Sequence, residues 1–283
     1  MLNGKLHFIK QITPELSLQQ CNEIPIIVLK HKVGKALISL QGAHLLSWQP
    51  LNADNDIFWL SEIESFKLGS AIRGGVPICY PWFGGKHTPS HGYARISLWQ
   101  LSDYKISDKK ISLEFSLFSD NEIIEAKMVM HFTEQCQLDF IHYGQETAQV
   151  ALHSYFNIGD INSVSVTGLP TTCFNSLTQQ QEEVASPRQV SENIDCIYEI
   201  TAPVVNTITD PVYQRRIDIH HIQANNIVFW NPWHKATNGM TSLGYQKMLC
   251  IETAQINKPL SQGEKVSVVI GIKNLSDDKF CKF

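Results

Sequence analysis

A glutamate sits inside the run Met248-Leu-Cys-Ile-Glu-Thr253, surrounded almost entirely by apolar residues. A carboxylate is costly to bury unpaired and is rarely buried without a partner, so Glu252 marks a point where the fold needs a charge or a proton. A histidine holds a comparable place in Val150-Ala-Leu-His-Ser-Tyr-Phe156. Period-2 alternation there puts Ala151, His153 and Tyr155 on one face and Val150, Leu152 and Ser154 on the other. An imidazole in a strand can be a hydrogen-bonded core residue. Beside a glutamate on a second strand, it can also be half of a general acid and general base pair.

A second set of chemical groups lies earlier in the chain. Ala71-Ile-Arg-Gly-Gly-Val-Pro-Ile-Cys-Tyr-Pro-Trp-Phe-Gly-Gly85 leads on to His91-Gly-Tyr-Ala-Arg95. Pro77 and Pro81 lack a backbone donor and restrict the residue before them, which speaks against a helix. The stretch reads as a long irregular loop that presents side chains, and such loops usually carry function. Guanidinium groups stay charged and donate bidentately, so Arg73 and Arg95 on one such loop suggest an anion grip. Ion pairing at the surface is the competing reading for either arginine alone. Trp82, Phe83, Trp230 and Trp233 can stack on an apolar ligand face, although at least half of such aromatics belong to cores.

Other chemistries find less support. The chain has neither a GxSxG nucleophile elbow nor a phosphate-binding P-loop. His87-Thr-Pro-Ser-His91 has zinc-helix spacing, but Pro89 and the missing glutamate remove that reading. His220 and His221 adjoin on a predicted strand, so their side chains diverge; they read as structural or surface residues. No metal or cofactor is expected.

The elements that must position these groups are short strands. Ala36–Leu40, His44–Trp48, Ile57–Leu60, Ile111–Phe118, Ile123–Phe132, Gln137–Tyr143, Ala148–Phe156, Asn226–Trp230, Lys247–Thr253 and Lys265–Ile272 alternate or run apolar between turn signals. No window of a helix's length holds a 3.6-residue period. The expectation is an all-β, predominantly antiparallel fold in a single domain, residues 1–283, with the polar stretch Thr178–Ser191 as an exposed connection. With 43% hydrophobic residues there is material for a large core, and a net charge of −4 argues against nucleic acid or an acidic membrane as partner. Seven cysteines, at 21, 79, 136, 173, 196, 250 and 281, form no CxxC and fit reduced thiols in a cytoplasmic protein. The N-terminal Met1-Leu-Asn-Gly-Lys-Leu shows no signal-peptide run, and no later stretch is apolar enough to span a membrane.

Taken together and in order, Ala71–Gly84, His91–Arg95 with Trp99, Leu152-His-Ser-Tyr-Phe-Asn-Ile-Gly-Asp160, Trp230-Asn-Pro-Trp233 and Met248–Thr253 resemble the glucose-6-phosphate 1-epimerase (hexose-6-phosphate mutarotase) family. That family lies within the galactose mutarotase-like, or aldose 1-epimerase, superfamily. The resemblance runs from about Gln41 to Ile272. Ser154 departs from the commoner threonine, and Tyr80 from tryptophan or phenylalanine.

The resemblance implies a large antiparallel β-sandwich with the sugar in a groove on one sheet. It assigns His153 as general acid and Glu252 as general base, Arg73 and Arg95 to the 6-phosphate, and His91 to the sugar. Asp195, within Glu192-Asn-Ile-Asp-Cys-Ile-Tyr198, is matched more loosely to an acidic contact with sugar hydroxyls. Anomer exchange needs a proton on the ring oxygen and loss of one from the C1 hydroxyl. Imidazolium and carboxylate supply both, with ordinary pKa values of about 6.5 and about 4.3. The expected partner is a small phosphosugar, and the expected state a monomer. Two other functions stay open: a mutarotase of neutral aldoses, and a binding module that keeps the scaffold without catalysis.

Overall fold

A computed structural model describes residues 4–276 of the chain. Cys281 and Met1–Asn3, on which two of the expectations above partly rest, lie outside the described residues. The chain opens with β1 (Leu6–Gln11), β2 (Leu16–Cys21), β3 (Ile24–His31), β4 (Gly34–Ser39) and β5 (His44–Pro50). It continues with β6 (Ile78–Cys79), β7 (Gln100–Ser107), β8 (Lys110–Phe118), β9 (Ile124–Phe132), β10 (Cys136–His142), β11 (Ala148–Leu152) and β12 (Tyr155–Asn157). Then follow β13 (Ser165–Thr167), β14 (Thr172–Asn175), β15 (Gln180–Glu183), β16 (Ile194–Glu199), β17 (Val204–Asp210), β18 (Arg215–Ile222), β19 (Asn226–Asn231), β20 (Met248–Leu260) and β21 (Lys265–Asn274). Helical geometry among the described residues is confined to two short 3₁₀ turns, Ala94–Ile96 and Gly244–Lys247.

Strands β1 to β5 form a five-stranded meander. One eight-stranded sheet has the order β13-β17-β18-β21-β10-β9-β8-β7, and a second runs β15-β14-β16-β19-β20-β11-β6, with β12 also on β20. The fold is an all-β antiparallel sandwich: the alternation predicts the antiparallel strands, and the family resemblance the sandwich. Ile111, Leu113, Phe115 and Leu117 show why: every second residue of β8 is buried, and Met128, Met130 and Phe132 of β9 answer them. A continuous core draws on all three sheets, with Trp48 of β5 packing 4.9 Å from Phe132. Each such large side chain, fully buried, contributes roughly 1.5–3 kcal/mol.

Two expectations change. Ile57–Leu60 is no strand; Ile57 donates to Trp48, Trp59 donates to Tyr155, and Gly75 donates back to Trp59. Its backbone bonds are thus split among separate segments, leaving only isolated bridges Phe58↔Phe156 and Leu60↔Gly74. The polar stretch 178–191 is also more ordered than expected: it supplies the edge strand β15, hydrogen-bonded to β14 on one side.

Strand β20 is where the site is organised. Its residues from Met248 to Ala254 are all buried, because Leu249 and Ile251 enter the main core while Met248 and Cys250 on the other face pack against Tyr155, Trp59 and Trp230. Leu152 pairs with Thr253 and Tyr155 with Cys250, so the register is the same on both sides of the break between β11 and β12. That register sets His153 directly opposite Glu252.

Candidate active site

Directly opposed residues in an antiparallel pair share a face, and here the consequence is a contact. His153 Nε2 lies 3.2 Å from Glu252 Oε1. Glu252 is only 1% exposed and His153 8%. The break that frees His153 from regular pairing is held from the other side by the glycine-proline loop. His153 N–H donates to Pro77 O at 3.0 Å and Tyr155 N–H to Gly75 O at 2.9 Å.

Burial dominates the electrostatics of the pair. It drives the His153 imidazole well below its ordinary range, aided by the charges of Arg73 and Arg95 and by His91. It drives the Glu252 carboxyl well above its range, with the nearby Asp195 carboxylate adding to the effect. Both directions favour the uncharged pair, while mutual attraction across 3.2 Å favours imidazolium and carboxylate. The two forms hold the same number of protons and differ only in where one of them sits. His153 Nδ1 and Glu252 Oε2 are buried with no hydrogen-bond partner among the described residues.

The pair forms the floor of a 760 Å³ cleft. Arg73, His91 and Asp195 line it as well, with Phe83 and Trp230 among the aromatics. Arg73 is placed there by the two glycines after it. Gly74 and Gly75 adopt φ values of +113° and +61°, and a Cβ on either would fall within 2.5 Å of a backbone oxygen. This local conformation therefore requires glycine. Arg73 Nη1 donates to the Tyr155 hydroxyl at 2.8 Å, and Nε donates to Asn238 O at 3.1 Å. Its backbone N–H donates to the buried Glu64 carboxylate at 2.8 Å.

His91 reaches the cleft from the same long loop. Burial, then the charges of Arg95 and Arg73, lower its pKa to about 4. Its Nδ1 accepts from Gly84 N–H at 3.3 Å, so the neutral ring carries its proton on Nε2 and can donate there. Asp195 stands on β16, opposite Trp230 on the neighbouring strand. Burial raises its pKa, against the pull of Ser176 and Lys235.

Arg95 is placed differently from Arg73. Its Nη2 donates to Ser90 O at 2.6 Å, and it is not among the residues lining the cleft. Its charge nonetheless reaches His91, His153 and Glu252. Trp82 and Trp233 also stand away from the lining: Trp82 Nε1 donates to Pro89 O at 2.8 Å, and Trp233 packs 5.3 Å from Tyr245. His87 also lines the cleft. No cluster of three or more potential metal ligands occurs among the described residues.

The aldose 1-epimerase family profile matches residues 25–273. The chain belongs to the aldose 1-epimerase family. It is 57% identical over 270 residues to a Haemophilus influenzae protein provisionally named glucose-6-phosphate 1-epimerase, covering 95% of this chain and 99% of that one. An Escherichia coli protein of the same provisional name is 35% identical, with 88% of this chain and 89% of the other covered. The crystal structure of a Salmonella typhimurium protein, provisionally described as a mutarotase, superposes with a TM-score of 0.89. That match has 32% identity and covers 95% of this chain and 97% of that one. The chain is thus an epimerase, and the sheet carrying His153 and Glu252 belongs to an aldose 1-epimerase fold.

Residue types alone did not single out three further groups at this site. Gln149 lines the cleft and ties it together: its Oε1 accepts from Phe83 N–H at 2.9 Å, and its Nε2 donates to Ile256 O at 3.1 Å. Glu64, just ahead of the Ala71–Gly85 loop and outside every motif, anchors the Arg73 backbone. Tyr155 sits beneath the cleft; its place beside His153 on the alternating strand was the one signal available.

Proposed function

We propose that this aldose 1-epimerase interconverts the α and β anomers of hexose 6-phosphates, glucose 6-phosphate foremost. The observation that carries the reading is the buried pair of His153 and Glu252, 3.2 Å apart in a cleft that the Arg73 guanidinium also lines. Glu252 carboxylate takes the C1 hydroxyl proton while His153 imidazolium gives a proton to the ring oxygen. The C1–O5 bond then breaks, leaving the open aldehyde above a neutral imidazole and a protonated carboxyl. Rotation about C1–C2 turns the aldehyde, and the same two protons return as the ring closes. The uncharged pair favoured by burial is thus the form the enzyme holds while the sugar is open. Two placed proton-transfer groups are each worth ~10²–10⁴-fold.

The phosphate half of the reading rests on Arg73 and on the names of the relatives. A 6-phosphate carries about −1.5 to −2 charges at pH 7, by analogy with phosphorylated side chains. Arg73 receives it directly, and Arg95 adds its charge from outside the lining. His91 Nε2–H and Asp195 meet the sugar hydroxyls. Among the described residues six cysteines are free and buried, which supports a cytoplasmic setting; we read the protein as a one-domain monomer.

Saturation-transfer NMR on glucose 6-phosphate tests the reading. The protein is expected to exceed the spontaneous anomerisation rate. Arg73→Ala is expected to raise KM for glucose 6-phosphate at least about tenfold, in line with loss of a charged hydrogen bond, while barely altering turnover of glucose. A protein that adds nothing to the spontaneous rate sinks the proposal. One that treats both sugars alike, with or without Arg73, is instead a neutral-aldose mutarotase.

A further inference from the structure

Tyr155 touches both Arg73 and His153 but does not itself line the cleft. Its hydroxyl accepts a hydrogen bond from Arg73 Nη1 at 2.8 Å. Its ring stacks on the His153 imidazole, with centroids 4.7 Å apart and planes within 5°. Trp59 stacks at 6.0 Å, and Trp230 meets the ring edge-on at 6.0 Å. The side chain is 2% exposed and is absent from the cleft lining, whereas Arg73 and His153 are both part of it. A residue so placed acts on substrate only through its neighbours.

We infer that Tyr155 is a positioning residue that fixes Arg73 to receive the anionic end of the substrate. The inference rests on the phosphosugar reading above. Arginine is long and rich in rotamers, so an unrestrained guanidinium gives up conformational freedom when it grips an anion. In this protein that freedom is removed before substrate arrives. Nε is held by Asn238 O, Nη1 by the Tyr155 hydroxyl, and the tyrosine ring is boxed by aromatic neighbours. The hydroxyl keeps its proton, because burial raises its pKa, so it stays a neutral acceptor for the guanidinium. Strand register supplies the rest: Tyr155 and His153 share a face two residues apart, so the support for the anion end and the proton donor are set by one stretch of chain.

The test is Tyr155→Phe, which keeps the ring and its stack but deletes the acceptor. KM for glucose 6-phosphate is expected to rise about tenfold, the size of one hydrogen bond to a charged group, with kcat within about twofold of wild type. The same substitution in an Arg73→Ala background should add nothing further, because the group it orients is gone. A fall in kcat with KM unchanged overturns the inference and moves Tyr155 to the chemistry at His153. An unchanged KM, or an effect that multiplies with that of Arg73→Ala, overturns it as well. Failure of the phosphosugar reading itself looks different: Arg73→Ala alone then leaves KM for glucose 6-phosphate where it was. Matching melting temperatures for wild type and Tyr155→Phe keep the kinetic comparison free of folding effects.

Discussion

Strand β20 has a buried histidine on each side, and the two do opposite things. On the core face His221 reaches across from the other eight-stranded sheet. Its Nδ1 pairs with Thr253 Oγ1 at 2.8 Å and its Nε2 with Asn206 Oδ1 at 3.0 Å. Asn206 Nδ2 donates to Thr167 O, so its oxygen faces the ring and the ring must carry its proton on Nε2. Every polar atom of that imidazole is satisfied, and burial lowers its pKa to about 3. On the cleft face, one residue away along the strand, His153 meets Glu252 with one ring nitrogen unpaired. Burial alone therefore does not mark a reactive histidine. Both are buried; what separates them is a carboxyl partner that can exchange the proton, and a cavity beside it.

The contrast breaks first at Glu252. Glu252→Gln keeps the size and leaves an acceptor for His153 but cannot take a proton from C1. It is expected to lower kcat by ~10²–10⁴-fold, the usual worth of a general base, in the saturation-transfer assay. Its melting temperature should hold or rise, because an amide is less costly than a carboxyl to keep at 1% exposure. A variant with near-native kcat would remove Glu252 from the chemistry.

His221→Phe inverts that profile. It strands the Thr253 hydroxyl and the Asn206 oxygen in the core, at roughly 1–3 kcal/mol for each unsatisfied group. Denaturant melts should show the loss, while kcat of the folded protein stays within about twofold. The sign with pH follows from the lowered pKa. Between 6.5 and about 3 the unfolded chain binds a proton at His221 and the folded chain does not, so its contribution is complete above pH 6.5 and drains away as pH falls. The phenylalanine variant should therefore lose less stability than wild type across that window. An equal loss would mean that His221 is not what resists acid there.

How much of this contrast the chain discloses in advance depends on range. Glu252 and His153 stand out because polar residues interrupt apolar strands, and alternation assigns their faces correctly. Their opposition across β11 and β20 is a matter of register between segments about a hundred residues apart, which no local pattern encodes. His221 was read as structural or surface because its neighbour His220 points the other way; its tie to Thr253 likewise depends on which sheets meet. Arg73 and Arg95 look equivalent on the loop, yet one enters the cleft and the other donates to Ser90 O, because Gly74 and Gly75 steer only the first. Two of the strand segments that the pattern misses fail for a related reason. Gln255–Pro259 of β20 and Gln180–Glu183 are polar, and they are held by backbone pairing and by Asn225 and Asn226 side chains instead of by an apolar face.

The smallest effect sharpens the comparison instead of breaking it. Asp195 is separated from Glu252 by one strand and shares its face, and its charge helps hold the Glu252 carboxyl up. Asp195→Asn removes that charge while keeping an acceptor for a sugar hydroxyl. Taking away a negative charge makes every nearby proton easier to lose, so the pair should shed its shared proton at lower pH and resist a second proton to lower pH. Both limbs of the kcat profile are expected to move toward acid, with only a severalfold rise in KM as a charge-assisted hydrogen bond to the sugar becomes a neutral one, a difference of about 1 kcal/mol. His221, on the far face and already neutral across this range, has no part in the shift: His221→Phe should leave both limbs in place. If Asp195→Asn moves neither limb, Asp195 meets the sugar without tuning the pair, and the reactivity of His153 and Glu252 is set by burial, by each other and by the charges of Arg73 and Arg95.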